Sequence, residues 1–484
     1  MTSRYLAIDL GAESGRVMLG TLDDARLAIE ELSRFSNTPI RDGDRMYWNI
    51  PSLLDGIRAG LAKAGALGQP ITSISTCAWG VDYVLLDDAG EIIEPVFHYR
   101  DPRTSDGEKA ALARVDWPTL FAETGIQYMM LNTSIQLCAE PPARLAKAAR
   151  LLTIADAINH LLCGVAKIEV SMASTTQLYN PRLANWSDTL IDALSLPRTL
   201  FPEVVDSGTA LGPLKPGLAT ENGLAGLNVF ASLSHDTASA VAAVPAGDQR
   251  WAYISSGTWS LMGLELPEPI LTDACRELNF TNEIGHGGSI RLLKNIVGLW
   301  LVQECRRAWA AQGDDYSYAD LAEQAAAAEP WHSVINPSDP RFLSPDNMPQ
   351  RIAEACRETG EPVPETPGAI VRCALESLAL LYARTLRESE QLVGWRADTV
   401  HIVGGGSRNA LLNQLTADAA NVRVLAGPTE ATASGNILAQ AIAAGAVKNL
   451  AEARQIVRNS FDTTRYEPNP LDAIEAARIR FNKL

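Results

Sequence analysis

The sequence contains no long uninterrupted apolar run. No stretch reaches the roughly 18 apolar residues that a membrane-crossing helix needs. The start, MTSRYLAIDLG, is interrupted by Asp9 and is too short for a secretory signal. Hydrophobic residues make up 46% of the 484 residues and charged residues 20%, a mixture typical of globular proteins. We therefore expect a soluble, cytoplasmic protein without a membrane partner.

Basic residues are in deficit. The chain has 41 Lys and Arg against 57 Asp and Glu, which gives a formal net charge of −16. Such a surface repels polyphosphate backbones and anionic lipid, so we expect no nucleic-acid partner. A nucleoside triphosphate remains compatible with this charge, because backbone N–H groups and a metal ion can hold its phosphates.

Cysteine is also scarce and shows no metal-binding pattern. The seven cysteines are scattered, with no CxxC pair. An odd number without a signal peptide favours reduced thiols. Cys356 and Cys373 flank a proline-rich segment and could pair, although a cytoplasmic location argues against a disulfide.

The length favours two domains. YLAIDLGAESGRVMLG near the start and WAYISSGTWSLMGL at 251–264 share one plan, in which a small polar turn separates two apolar runs. Such a plan predicts β-hairpins. The segment VPAGDQ at 244–249 is the best boundary, which predicts domains over 1–245 and 246–484. The likeness of the two hairpins suggests related halves, but hairpins are common enough for coincidence to remain open.

Strand and helix patterns alternate along the chain, which favours an α/β fold. Helical spacing is predicted for five segments: PSLLDGIRAGLAKAGA, ALARVDWPTLFAETG, PPARLAKAARLLTIADAINHLLCG, KNIVGLWLVQECRRAW and 367–394. ITSISTCAWGVDYVLLDDAGEII and TVHIV are predicted strands. Gly164 is a plausible helix C-cap.

Asp9 ends an apolar strand and precedes a turn of small residues. A carboxylate beside a core strand needs partners. The turn N–H groups of 11–16 could hold a phosphate while Asp9 holds Mg²⁺. Asp9 could equally be a simple turn residue.

The most suggestive cluster is SHDTASA at 234–240. His235, Asp236 and Thr237 follow an apolar run and lead into a helix, a frequent site position in α/β sheets. Asp236 could accept a proton from a sugar hydroxyl. The alternative is that Asp236 is only an N-cap and His235 a structural histidine.

Three further signals are weaker. AWGVD at 78–82 combines an aromatic residue and a carboxylate around Gly80, although Trp79 could equally belong to the core. Lys294 and Asn295 are polar residues in an apolar neighbourhood. GGG at 404–406 lies between a strand and a helix, but its spacing matches neither the dinucleotide fingerprint nor a P-loop.

In order along the chain, these segments resemble the FGGY carbohydrate kinase family of the actin-like ATPase superfamily. The resemblance covers nearly the whole chain and rests most strongly on SHDTASAV, SSGTWSLMG and LKNIVGLW. It implies two ribonuclease-H-like domains around a central cleft, ATP with Mg²⁺, and transfer of a phosphoryl group to a ketose. L-Rhamnulose is the expected sugar, with L-fuculose, L-ribulose or D-xylulose as alternatives, and the protein is expected to be a monomer or homodimer.

The resemblance also implies roles for individual residues. Asp236 matches the catalytic base and Asp9 the metal-associated carboxylate. The sugar contacts match Gly80, His235, Asp236, Thr237 and Asn295. The nucleotide contacts match Ala12, Glu13, Ser14, Gly15, Arg16, Thr258, Gln303 and Gly405.

The chain departs from the family pattern in places that affect the choice of sugar. Glu13 stands where relatives often have Ser or Thr, Cys77 and Ala78 replace a more polar pair, and the region of Asn132 differs. Two other classes remain as alternatives, a chaperone or filament-forming ATPase and a sugar sensor without activity. The first would need a spare interaction segment, and the second would be expected to lose Asp236 or the phosphate loops.

Overall fold

The computed structural model describes residues 2–247, 249–343, 345, 347–469 and 471–484. The predicted boundary segment 244–249 includes residue 248, which lies outside these residues. The strands are β1 (Ser3–Leu10), β2 (Ser14–Asp23), β3 (Arg26–Ser36), β4 (Ile40–Asp42), β5 (Arg45–Tyr47), β6 (Ser73–Ala78), β7 (Tyr83–Leu86), β8 (Arg150–Thr153), β9 (Ile168–Glu169), β10 (Tyr179–Asn180), β11 (Asn185–Trp186), β12 (Val204–Val205), β13 (Thr209–Pro213), β14 (Asn228–Ala231), β15 (Trp251–Ser256), β16 (Trp259–Leu266), β17 (Thr281–Ile284), β18 (Ile290–Val297), β19 (Thr399–Val403), β20 (Arg423–Ala426) and β21 (Thr464–Tyr466).

The α-helices alternate with these strands. They are α1 (Ile50–Ala66), α2 (Thr104–Leu112), α3 (Trp117–Thr124), α4 (Thr133–Cys138), α5 (Pro142–Leu145), α6 (Ile154–Cys163), α7 (Val170–Thr175), α8 (Asp188–Ala193), α9 (Pro216–Glu221), α10 (Asp236–Ala242), α11 (Asp273–Glu277), α12 (Trp300–Gln312), α13 (Tyr318–Ala327), α14 (Met348–Thr359), α15 (Pro367–Val393), α16 (Ala410–Ala420), α17 (Ala431–Ala443), α18 (Leu450–Ser460) and α19 (Asp472–Phe481). None of the helices in the described part of the chain combines the length and apolar character needed to cross a membrane.

The first of two compact units comprises Met1–Pro245, Glu265–Leu292 and Ala431–Ser460. Its main sheet has the strand order β13–β14–β6–β1–β2–β3. β1 and β2 form an antiparallel hairpin, and β6 lies parallel to β1 on the other side. Tyr5, Leu6, Ala7 and Ile8 are all fully buried, because helices or strands cover both faces of β1. This explains the nearly continuous apolar run at the start of the sequence.

The second unit comprises Ala246–Leu264, Leu293–Glu430 and Phe461–Leu484. The strands of its sheet run in the order β18–β16–β15–β19–β20–β21. β15 and β16 form an antiparallel hairpin, and β19 lies parallel to β15. Both units therefore contain a hairpin whose first strand has a parallel neighbour, so the two predicted hairpins and the α/β class are confirmed.

The predicted helix at 367–394 and the predicted C-cap at Gly164 are both confirmed by cap geometry. Thr366 accepts a hydrogen bond from the backbone N–H of Ala369 at the start of α15, and Gly394 ends that helix with φ of 74°. Gly164 ends α6 in the left-handed conformation, with φ of 84°. A left-handed residue after the last turn is a common helix stop, and glycine adopts it without steric cost.

Three predicted helices are wrong in part. PPARLAKAARLLTIADAINHLLCG is interrupted by β8, which pairs antiparallel with β7. ALARVDWPTLFAETG is divided at Asp116, whose side chain caps α3. In KNIVGLWLVQECRRAW, the first residues belong to β18 and α12 begins only at Trp300. Short apolar runs are compatible with a helix or a strand, and here strand pairing and helix capping decide between the two.

Candidate active site

The turn between β1 and β2 carries the first group of predicted site residues. Asp9 and Arg16 are register partners, and Asp9 Oδ2 lies 2.5 Å from Arg16 Nη2. The N–H of Gly11 donates to the carbonyl of Ser14 and closes the turn. Glu13 is partly exposed, and its carbonyl accepts from the N–H of Asn37. Ala12 and Ser14 are also partly exposed, whereas Gly15 is buried. The turn therefore presents a compact, partly open backbone loop with one largely buried carboxylate.

Asp236 lies close to this turn. It begins α10, directly after the loop that follows β14, while His235 occupies the N-cap position. The carbonyl of Ser234 accepts a hydrogen bond from the N–H of Ala78, at the end of β6. Since Cys77 pairs with Asp9 across β1 and β6, this backbone contact brings α10 to the end of β1. The alternative interpretation of Asp236 as the N-cap is wrong by one residue, because His235 occupies that position.

The Asp236 carboxylate is partly exposed, with 30% of its side chain accessible. Its Oδ1 accepts hydrogen bonds from the N–H of Thr237 at 2.5 Å and from the Thr237 hydroxyl at 3.2 Å. Burial raises the pKa of Asp236, the neighbouring His235 opposes this rise, and the negative charge of Asp9 adds to it. Among the described residues, all hydrogen bonds to this carboxylate involve Oδ1, so Oδ2 is available to a ligand.

His235 is buried and has two charged residues behind it. Its Nδ1 lies 2.9 Å from Arg291 Nη2 and 3.3 Å from Glu283 Oε2. Arg291 Nη2 lies 3.0 Å from the same Glu283 oxygen. Burial acts to raise the pKa of Glu283, but Arg291 and His235 together outweigh it and the pKa is lowered. Sequence reasoning missed both residues. Glu283 lies in the mostly polar strand β17, TNEI, and Arg291 is one of two basic residues in β18, IRLLKNIV, so neither stood out locally.

The AWGVD segment lies in a buried aromatic cluster. Asp82 Oδ2 accepts hydrogen bonds from the indole N–H groups of Trp48 at 2.6 Å and Trp79 at 2.9 Å, and Oδ1 accepts from the amide of Gln136. Burial raises the pKa of Asp82 to about 6, against the effect of these hydrogen bonds. Trp79 is 6% exposed, which favours the core interpretation of this residue.

Gly80 is held next to this cluster by an unusual backbone. Val81 has φ of 68°, a conformation that a β-branched residue adopts only under strain. Two hydroxyl groups hold this backbone in place. The Val81 N–H donates to the Thr175 hydroxyl, and the Thr133 hydroxyl donates to the Val81 carbonyl. Backbone strain of this kind is concentrated at functional sites.

The structure buries the residues at which the sequence departs from the family pattern near the sugar. Cys77, Ala78 and Asn132 are each 0% exposed. Burial raises the pKa of the Cys77 thiol, and the negative charges of Asp9 and Asp236 add to the rise. The Asn132 side chain donates to the carbonyl of Gln127. These residues therefore shape the packing behind the site.

The second unit brings together the remaining nucleotide candidates. Thr258 lies in the turn between β15 and β16, and its carbonyl accepts from the N–H groups of Gly298 and Trp300. Gln303 lies on α12, the helix that Trp300 begins, and its Oε1 is buried without a hydrogen-bond partner among the described residues.

The glycine loop packs against this hairpin. An added Cβ at Gly406 would lie 2.0 Å from the Ser256 hydroxyl, and one at Gly404 would lie 3.0 Å from the Ser256 carbonyl oxygen. Glycine therefore lets the loop that contains Gly405 approach the end of β15. Asn295 lies on β18, next to Lys294, whose Nζ is 2.6 Å from Glu388 Oε2. Thr258, Gln303, Gly405 and Asn295 all belong to the second unit, whereas the other candidate residues belong to the first.

All seven cysteines are free thiols. Cys356 and Cys373 therefore do not form a disulfide in this structure. In the described ranges there is no group of three or more His, Cys, Asp or Glu residues able to hold a metal ion by itself.

Comparisons with known proteins find members of one family over nearly the whole chain. The model of the FGGY carbohydrate kinase N-terminal domain matches residues 4–243, and that of the C-terminal domain matches residues 252–444. A rhamnulokinase from Bacteroides thetaiotaomicron is 42% identical over 484 residues, covering 99% of each chain. One from Bacillus subtilis is 41% identical over 468 residues, covering 97% of this chain and 96% of the relative.

Solved structures share the fold at lower sequence identity. A ligand-bound xylulose kinase from Lactobacillus acidophilus superimposes with a TM-score of 0.79 at 14% identity, covering 99% of this chain and 96% of that chain. A xylulose kinase from Rhodospirillum rubrum gives 0.78 at 18% identity, covering 100% and 98%. These neighbours have the actin-like ATPase fold, as expected from the sequence. With both family domains matched and full-length relatives above 40% identity, the chain is a member of the FGGY family of carbohydrate kinases, enzymes that phosphorylate sugars.

Proposed function

We propose that this kinase transfers the γ-phosphoryl group of ATP to L-rhamnulose and forms L-rhamnulose 1-phosphate, a step in the use of L-rhamnose. The proposal is supported by curated rhamnulokinases that are 41–42% identical over nearly the full chain. Within the same family, another ketose such as L-fuculose, L-ribulose or D-xylulose is the alternative substrate.

One observation in the structure supports the chemistry most directly. Asp236 presents a partly exposed carboxylate whose Oδ1 is held by Thr237 and whose Oδ2 is available. In the proposed reaction Oδ2 accepts the proton of the attacking sugar hydroxyl. The hydroxyl oxygen forms a bond to the γ-phosphorus, the bond from this phosphorus to the bridging oxygen breaks, and ADP leaves. Because such transition states are loose, Asp236 mainly orients the nucleophile.

The other candidate residues divide into two groups. We assign sugar contacts to Gly80, His235, Thr237 and Asn295. We assign nucleotide contacts to the turn at 12–16 and to Thr258, Gln303 and Gly405. The strained backbone at Val81, next to Gly80, and the unpartnered buried Oε1 of Gln303 support these assignments. On this basis residues 1–245 would supply the first phosphate loop and the sugar site apart from Asn295, and residues 246–484 would supply Asn295, the second loop and the adenosine site.

A divalent metal ion accompanies ATP in this family, and we propose Mg²⁺ with Asp9 as its protein ligand. The residues fit an ion that arrives with the nucleotide. Mg²⁺ typically uses one or two carboxylates and completes its coordination with water and phosphate oxygens. Asp9 also adds negative charge near Asp236, which a cation would offset. The ion would neutralise charge on the phosphates.

The test is an ADP-release assay with Mg²⁺-ATP and a panel of purified ketoses. We expect kcat/KM for L-rhamnulose to exceed that for L-fuculose, L-ribulose and D-xylulose. A higher value for another ketose would contradict the substrate assignment while leaving the phosphoryl transfer intact. Absence of sugar-dependent turnover with every ketose would contradict the proposed function.

A further inference from the structure

A buried pair of opposite charges lies directly behind His235. The side chain of Arg291 is fully buried, and that of Glu283 is 5% exposed. The pair is joined at 3.0 Å, and Arg291 also donates from Nε and Nη2 to the carbonyl of Ile284, each at 3.3 Å. Burying two charges is expensive even when they are paired. We therefore expect this ion pair to have a role other than packing.

The contact between Arg291 and His235 determines which imidazole nitrogen can carry a proton. A guanidinium has only donors, so the nitrogen that faces it must supply a lone pair. His235 Nδ1 lies 2.9 Å from Arg291 Nη2, with the geometry of a hydrogen bond. Glu283 Oε2 is 3.3 Å from the same nitrogen but receives no hydrogen bond of ordinary geometry from any described residue. It therefore acts as the counter-charge to Arg291.

With Nδ1 as the acceptor, the imidazole proton is on Nε2. Nε2 faces the candidate base and lies 3.4 Å from Asp236 Oδ1. The backbone N–H of His235 also donates to the Ser171 hydroxyl, which holds the residue at its main chain. The imidazole is thus held at Nδ1 and at its backbone, with its N–H directed at the carboxylate.

We propose that Arg291 is a positioning residue that fixes His235 as the Nε2–H tautomer, so that the imidazole donates toward Asp236 Oδ1. This donation would hold Oδ1 together with Thr237 and leave Oδ2 to the sugar hydroxyl. Glu283 neutralises Arg291 and so allows a permanent cation to be buried beside the imidazole. The proposal rests on the role given above to Asp236.

The tautomer can be read directly by NMR of the imidazole nitrogens in the full-length protein with isotope-labelled histidine. The chain has six histidines, so a His235→Gln variant assigns the signal. We expect a protonated Nε2 and an unprotonated Nδ1 in the wild-type protein at neutral pH. A protonated Nδ1, alone or together with Nε2, would overturn the proposal.

Two variants test the part played by Arg291. Arg291→Lys keeps a donor and should keep the tautomer. The double variant Arg291→Met with Glu283→Gln removes the donor without leaving a buried charge, and its amide oxygen can accept from Nδ1. We expect Nδ1–H to appear in the double variant, with kcat for the sugar reduced by about 10²-fold and KM for ATP nearly unchanged.

Arg103→Gln is the matched control, because Arg103 forms a buried ion pair with Glu140 in the same unit. It should leave the His235 signal unchanged. An unchanged tautomer in the folded double variant would overturn the proposal. The two proposals can also fail separately. If the Nε2–H tautomer depends on Arg291 but the protein turns over no ketose, the positioning of His235 is supported and only the proposed function is contradicted.

Discussion

Gly435 of α17 and Ser239 of α10 lie so close that a Cβ on Gly435 would be 1.7 Å from the Ser239 carbonyl oxygen. α10 also carries Asp236 at its first position. The closeness of the two helices therefore helps to set where the candidate base lies.

Gly435→Ala should separate the two helices. We expect the free energy of unfolding to fall by about 1–3 kcal/mol, as in overpacked cores, despite the better helix propensity of alanine. The value of kcat should fall as well, because α10 moves with its Asp236. Urea unfolding and steady-state kinetics measure the two effects. Gly217→Ala on α9 is the control, since a Cβ there meets no atom within 4 Å, and it should not reduce stability or kcat. Equal stability of the two variants would contradict this account.

Asp236→Asn should lower kcat by about 10²- to 10⁴-fold, because the amide cannot accept the sugar proton. KM for the sugar should change much less, since the amide can still form hydrogen bonds. Steady-state ADP release measures both constants. Asp188→Asn serves as the control, because this side chain is 72% exposed and pairs with Arg198. A variant at position 236 with wild-type kcat would rule out Asp236 as the base.

Asp9→Asn should raise the Mg²⁺ concentration needed for half-maximal rate, since the protein loses its proposed metal carboxylate. It also removes the negative charge that lies 2.5 Å from Arg16 Nη2. Metal titrations at fixed ATP provide the measurement, and Asp55→Asn, an exposed carboxylate paired with Arg58, provides the control. If the Mg²⁺ dependence of Asp9→Asn matched that of the control, Asp9 would not hold the metal.

Glu169 should make stability depend on pH. This fully buried carboxylate accepts hydrogen bonds from Ser171 and from the N–H of Ser234, but burial outweighs them and raises its pKa from 4.5 to about 7. The folded protein therefore binds this proton more tightly than the unfolded chain does. The contribution to the free energy of unfolding falls as pH rises from about 4.5 to about 7, by about 3 kcal/mol in all.

Glu169→Gln removes this titration, so urea unfolding at pH values below and above this window should show a smaller loss of stability than in the wild-type protein. Glu203→Gln, whose side chain is 65% exposed, should retain the wild-type dependence. The same dependence in Glu169→Gln and the wild-type protein would show that Glu169 does not carry a raised pKa.

The sequence was sufficient to predict the elements that are determined by neighbouring residues. The hairpins at Asp9 and Thr258, the helix at 367–393 and the position of Asp236 at a helix start all follow from apolar periodicity and turn residues. The strand β8 was missed because four residues, RLLT, between two helices have no pattern of their own, and the pairing with β7 decides their structure.

The surroundings of His235 could not be predicted in this way. Glu283 and Arg291 lie about 50 residues further along the chain, and only tertiary packing brings them to the imidazole. The same limit applies to Trp48, which joins Asp82 and Trp79 from a distant segment. Locally, Glu283 lies in the mostly polar strand TNEI and Arg291 in the strand IRLLKNIV, and neither segment indicates its partner.

The first unit is assembled from three separate stretches of chain, and the last of them, Ala431–Ser460, supplies α17 and α18. Within it, Gln440 donates to the carbonyl of Leu6 and accepts from Ser73, two residues made near the beginning of synthesis. During translation, β1 and β6 must therefore wait for a segment that emerges more than 350 residues later. At typical rates of elongation the interval from Pro245 to Ser460 lasts about 10 to 40 s. Throughout that time the nascent first unit exposes the apolar surface that α17 will cover.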